Sequence, residues 1–451
     1  MGKRSRERRR QEQRAGGGYG GQPLRELTAE GIEAALGEAA LAHRRSDLAG
    51  LDRVTGALVL AWESSARLVP SAVGACLERA VRRAWSQGWQ PADVVRVLRR
   101  GPAVELVGLT IDVIAADAET YRHRPVVDRR WMSQLDDLGA QRWWDPTTPL
   151  LAAWAARHRH DRLQVINEAA ALLDRLWQLP QLTCLGPPPA DWGRPGSGPA
   201  PAASSSSSID AKILTRVRAL LAKAESTEFV NEAEALTAKA HQLIARHAID
   251  RAMLETGTDG SEPPIGRRLA VDDPYAAAKA SLLSLVADAG RGRAVWSKQL
   301  GFSTVLGFAA DLDAIELLYT SLLVQSTGAM VAAGGASGAA DRRSRGFRSA
   351  FLTAYAVRVG QRLAESREAS VAEAESTHGA SLLPVLASRD NAVEALVDEM
   401  FPKLHKGRRS ASYDGAGWAA GVAAADRADL AADARLESTV ARPGLPSRAT
   451  A

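Results

Sequence analysis

Histidines and carboxylates are the side chains whose spacing here would support acid–base or metal chemistry. Glu234 and His241 stand seven residues apart, so a single helix would carry both on one side. His241 and His247 are six apart and do not share a face in that way. His247 also falls on an apolar stripe, where a packing role is the simpler reading. Asp311, Asp313 and Glu316 form an acidic group at a helix start, where carboxylates complement the helix dipole or would hold a divalent ion. His158 and His160 lie close together in AARHRHDRL, while His378 and His405 stand alone. No HExxH, CxxC, GxSxG or phosphate-cradling Gly-rich turn ending in Lys-Ser or Lys-Thr occurs. A reaction would therefore need ligands gathered from distant segments, as in a metal-dependent hydrolase or nuclease carrying a divalent metal. Outside that alternative no cofactor is expected, and no catalytic residue is assigned.

Basic residues give a different chemistry, attraction to phosphate. The first 14 residues hold seven lysines and arginines against two glutamates, an excess of five equal to the chain's whole net charge of +5. Lys3, Arg4, Arg6, Arg8, Arg9 and Arg10 supply most of it, followed by QEQRAGGGYGGQP, which reads as a mobile arm. The stretch AVRRAWSQGWQPADVVRVLR has the form of a helix-turn-helix, with Gly88 at a positive-φ turn and Pro91 in the first turn of the second helix. On that reading Ala84 sits against the second helix and Val94 and Val97 face the first. Gln90 and Asp93 then lie at the start of the second helix, and Arg96, Arg99 and Arg100 reach phosphate. A purely structural helical corner fits the same residues. Lys406, Arg408 and Arg409, beside His405 in LHKGRR, form a second basic patch or a solvated connector.

Helical periodicity dominates from Leu24 to about Leu185, with Thr28 placed as a cap. Trp62, Trp85, Trp89, Trp131, Trp143, Trp144, Trp154 and Trp177, eight of the chain's 11 tryptophans, fall in this region. Rings of that size favour helix interfaces, with exposed stacking or partner binding the alternative for some of them. PQLTCLGPPPADWGRPGSGPAPAASSSSSID, rich in proline and serine, then marks a linker.

From Asp210 to Asp250 the residues form two amphipathic stripes. Ile213, Val217, Leu220, Leu221 and Ala224 make the first; Leu236, Ala240, Leu243, Ile244 and His247 make the second. Asn231 and Glu234 are spaced as a capping box between them, so an antiparallel helical hairpin is expected, docked on another domain or chain. Its LLAKAEST and NEAEALTAKAHQLIARHAID runs resemble the uncharacterised family known as domain of unknown function 2786, found in bacterial and phage proteins. The resemblance rests on residues that include Glu225, Ser226, Glu232, Glu234, Lys239, His247 and Asp250, and covers about one tenth of the chain. FLTAYAVRVGQRL, ALVDEMFPKL and YDGAGWAAGVAAADRADL are similar to the C-terminal region that often accompanies that module. The resemblance implies an intracellular module without an assigned reaction.

After the hairpin, RAVWSKQL and FSTVLGFAA are expected as short strands followed by helices, and Gly417, Ala420, Gly421 and Ala424 line a close-packed helix face with Trp418 as a larger packing element. The organisation expected is a basic arm (1–22), an all-helical domain (23–185), a linker (186–208), the hairpin (209–256), a short connector (257–268), an α+β domain (269–430) and a flexible tail (431–451). The fold class is thus a mainly α N-terminal domain, a central α-helical hairpin and an α+β C-terminal domain.

A chain of 451 residues with 46% hydrophobic composition can bury more than one core. Cys76 and Cys184 alone provide no disulfide framework, no secretory apolar region follows the basic start, and no uninterrupted apolar run is read as long enough to span a membrane. These features imply a cytoplasmic, nucleic-acid-associated interaction protein whose partners are DNA or RNA, with a protein partner or self-association in addition and no membrane. A structural or phage-related protein-interaction module is the remaining alternative.

Overall fold

The computed structural model describes residues 27–194, 208–226, 263–335, 344–378, 382–404 and 414–427, together with 236, 239–240, 242–244, 246–250 and 252. The basic arm, Glu232, Glu234, His241, Lys406, Arg408 and Arg409 lie outside the described residues, as do the side chains of Glu225 and Ser226. The chain divides into two compact units, Met1–Ala203 and Ser204–Ala451.

In the first unit every regular element among the described residues is helical: α1 (Ala29–Arg45), α2 (Leu48–Ser64), α3 (Leu68–Ser86), α4 (Pro91–Arg100), α5 (Val107–Ala118), α6 (Arg129–Asp137), α7 (Leu150–His158) and α8 (Arg162–Trp177). Side-chain oxygens start several of them. Thr28 Oγ1 accepts from Gly31 N at 3.1 Å as expected, and Asp47, Asp128 and Asp161 cap α2, α6 and α8. α1 packs on α2, α3 and α8, and α3 packs in turn on α5, α7 and α8.

Tryptophans fill the gaps between these helices, and several of their indole donors are paired rather than stranded. Trp85 Nε1 donates to Asp117 Oδ2 at 2.9 Å, Trp89 Nε1 to the Pro180 carbonyl at 2.7 Å, Trp131 Nε1 to the Tyr121 hydroxyl at 3.2 Å and Trp154 Nε1 to Glu168 Oε2 at 2.8 Å. The buried Asp117 also accepts from Arg82 Nε at 2.6 Å. The unit continues past the helices. Pro187 to Asp191, read from the sequence as linker, is held because Trp192 inserts edge-on against Tyr121 and Trp131, at 5.4 and 5.9 Å between ring centroids. Trp192 Nε1 donates back to the Pro187 carbonyl at 3.0 Å.

The second unit opens with α9 (Ser208–Ser226), the first helix of the hairpin, and the described residues between 236 and 252 are helical too. A three-stranded antiparallel sheet follows, β1 (Ile265–Ala270), β2 (Arg293–Ser297) and β3 (Phe302–Gly307), ordered β1-β3-β2 with Arg267 opposite Val305 and Trp296 opposite Ser303. The two strands expected from the sequence are β2 and β3. β1 begins inside the stretch read as a connector, where the inward-facing Arg267 interrupts the apolar alternation that signals a strand.

α10 (Ala276–Ala289), α11 (Ala309–Gly335), α12 (Arg345–His378), α13 (Leu382–Met400) and α14 (Gly415–Arg427) surround this sheet. Leu269 and Val305 join Leu283, Val286, Ile315, Leu322, Phe351 and Val359 in one core, while Leu306 and Phe308 pack with Val393 and Val397 of α13 in another. α14 lies on α12 at close range: a Cβ at Gly417 or Gly421 would meet the Phe347 or Phe351 carbonyl oxygen at 2.5 or 2.3 Å. The small-residue face expected from the sequence is therefore a packing face, whereas Trp418 beside it is exposed. Residues Ala309–Ala333 of α11 are long and apolar enough, by length and composition, to cross a membrane, contrary to the expectation that no such run exists. The same helix buries Leu312, Ile315, Leu318, Leu322 and Met330 in the core of the unit.

Candidate nucleic-acid interface

The corner between α3 and α4 depends on one backbone conformation. Gly88 has φ +86°, and a Cβ there would strike the Leu182 carbonyl oxygen at 2.5 Å, so a side chain is excluded by both torsion and space. The passing strand of chain fastens the corner: Leu182 N donates to the Gln87 carbonyl at 2.9 Å. Pro91 opens α4, which buries Val94, Val95 and Leu98 and has α5, α6 and the turn Val104–Leu106 as its main neighbours.

The N-terminal end of α4 is occupied by its own contacts. Asp93 is buried and accepts from Gln90 N at 3.2 Å. Gln90 Oε1 accepts from Gln134 Nε2 at 2.9 Å, and Gln134 Oε1 accepts from Ala92 N at 3.1 Å, tying α4 to α6. At the other end Arg99 and Arg100 are exposed in the last turn, with Arg96 half-buried one turn earlier. Cations in a last turn also complement the helix dipole.

The acid–base candidates separate in space. Asp311 forms a buried ion pair with Arg389 at 3.1 Å, and that guanidinium lies 3.6 Å from the centre of the Phe308 ring. Asp313 and Glu316 bind the guanidinium of Arg267, at 2.6 and 2.5 Å. The acidic group at the start of α11 thus pins that helix to β1 and α13. His160 Nδ1 lies 2.9 Å from Glu168 Oε1, and His158 stacks on Trp154 at 3.9 Å between ring centres. Among the described residues, no three His, Cys, Asp or Glu side chains converge to hold a metal ion.

Of the family-like residues, Lys239 Nζ bonds Gln242 Oε1 at 3.1 Å on the surface, His247 is half-buried and Asp250 is exposed. The apolar stripes meet as expected: Val217, Leu221 and Ala240 form a small core with Ile213, Leu243 and Ile244, which Leu317 of α11 completes. Ile249 and Ala252 pack on Leu382 and Leu386 of α13. The partner that the hairpin required is the C-terminal domain of the same chain.

The family described as "Protein of unknown function (DUF2786)" matches residues 212–251, the segment that supplies these packing stripes. No curated protein and no solved structure matches the chain.

Proposed function

We propose that this chain is a cytoplasmic, nucleic-acid-associated interaction protein. The arm and the first unit meet DNA or RNA, and the second unit binds a protein partner or another copy of the chain. The supporting observation is that Arg99 and Arg100 stand exposed at the end of α4 in a chain whose arm carries a positive excess equal to its net charge of +5. Because Gln90 and Asp93 are engaged within the unit, α4 is read as meeting phosphate rather than base edges, so binding has little sequence preference.

Salt-titrated fluorescence anisotropy with labelled DNA and RNA tests this. Affinity falls steeply with salt, and replacing Arg99 and Arg100 by alanine lowers the log–log slope by about one unit for each phosphate no longer neutralised. Deleting residues 1–14 lowers it further. A protein that ignores both nucleic acids in dilute salt overturns the proposal.

A further inference from the structure

Trp143 differs from the other tryptophans of the first unit in being held in place yet open to solvent. It is 39% exposed, whereas Trp62, Trp85, Trp89, Trp131, Trp144, Trp154 and Trp192 are buried. It lies between α6 and α7, in a stretch without regular structure that is nonetheless fastened. Asp145 Oδ1 accepts from both the backbone N and the hydroxyl of Thr147, at 2.7 and 2.6 Å, and Arg67 Nη2 donates to the Thr147 carbonyl at 2.7 Å. The indole is anchored by its edge: Nε1 donates to Asp112 Oδ2 at 2.9 Å, and the buried Trp144 ring meets it at 5.4 Å with planes 73° apart.

One cation lies over the ring. The guanidinium of Arg157 sits 4.2 Å from its centroid, and that of Arg142 lies 5.7 Å from the Trp144 ring. Arg157, His158 and Arg159 are all exposed at the end of α7. The nearby carboxylates are engaged, Asp112 by the indole and Asp145 by Thr147.

An anchored, partly exposed indole with the Arg157 guanidinium over its ring and further exposed cations at the end of α7 matches the way proteins hold single strands, in which bases stack on aromatic rings and cations follow the phosphates. Paired bases in a duplex have their faces covered by neighbouring bases and cannot use such a platform without being unstacked. We propose that Trp143, with Arg157 and Arg159, binds an unpaired nucleobase and its adjoining phosphate in a single-stranded nucleic acid. This rests on the nucleic-acid reading above and specifies the strand form that the first unit takes.

The full chain is irradiated with bromodeoxyuridine-substituted oligothymidylate and the crosslinked peptide is mapped by mass spectrometry. In parallel, affinities for oligothymidylate, oligouridylate and a duplex of equal length are measured for the wild type, Trp143→Phe and Trp143→Leu. Crosslinks fall on Trp143, Trp143→Leu weakens single-strand binding by about tenfold with duplex binding unchanged, and Trp143→Phe keeps most of the affinity. Crosslinks confined to other peptides overturn the inference, and this readout needs no variant to fold. A Trp143→Leu protein that melts normally and binds single strands like the wild type overturns it too. Either result with nucleic-acid binding intact leaves the broader proposal standing; loss of all binding in the wild type removes both.

Discussion

Two buried carboxylates, Asp117 in the first unit and Asp311 in the second, are met by different sets of partners. In the first, Asp117 sits in an aromatic core and takes an indole N–H from Trp85 alongside Arg82. In the second, Asp311 is closed in by Arg389, which in turn lies over the Phe308 ring. An indole supplies one neutral donor and a large apolar surface; a guanidinium supplies several donors and a compensating charge. Burial pushes the Asp117 carboxyl above the ordinary carboxylate range against the bonds from Trp85 and Arg82, which pull it down.

The contrast is broken most severely by removing the guanidinium. Arg389→Met leaves Asp311 buried without that partner and lowers unfolding free energy by about 3–5 kcal/mol, measured by denaturant titration. Adding Asp311→Asn to the same protein recovers part of that loss, because the uncompensated charge goes with it. Equal instability of the single and double variants would mean that the ion pair is not what holds α13 to the start of α11.

Trp85→Phe is the matching test in the first unit. It keeps the ring and takes away the donor to Asp117, and the expected cost is smaller, about 1–3 kcal/mol, since Arg82 remains. A cost equal to that of Arg389→Met would erase the distinction between the two units.

The finest test is pH. Asp117, with its folded-state value raised, stabilises the fold most below the unfolded value of 3.8 and loses that contribution as pH rises through the folded value. Asp174 runs the other way. Burial pulls its carboxyl upward, but the bonds from Arg44, His43 and Gln178 together outweigh it and hold it below the ordinary value. Its contribution is present above 3.8 and is lost as pH falls through the folded value. The stability of the wild type relative to Asp117→Asn should therefore decline as pH rises from 3.8, whereas relative to Asp174→Asn it should decline as pH falls below 3.8. Parallel curves for the two variants would contradict these assignments.

The sequence showed most clearly what short-range rules govern. Thr28 as a cap, Gly88 as a left-handed turn, the paired stripes of the hairpin and the close face at Gly417 and Gly421 each follow from a few neighbouring residues. What it hid depends on partners far along the chain. The acidic group at Asp311, Asp313 and Glu316 suggested capping or a metal because Arg267 and Arg389 lie 46 and 78 positions away from the acids they bind. β1 escaped notice for the same reason, since its inward arginine makes sense only beside α11. Trp143 could have been set apart from the other tryptophans by the turn-forming run Asp145 to Pro149 directly after it, a sign of surface chain rather than helix interface.

The fastening of Gly88 reaches beyond the turn itself. Leu182 and Pro180, some ninety residues downstream, clamp Gln87 and Trp89 on either side of that glycine. The orientation of α4, and with it of Arg99 and Arg100, is accordingly set by a part of the polypeptide that a ribosome makes much later. Because those bonds join the α3–α4 corner to chain made so much later, the bearing of the arginine-bearing helix is a property of the closed unit rather than of the helical pair alone.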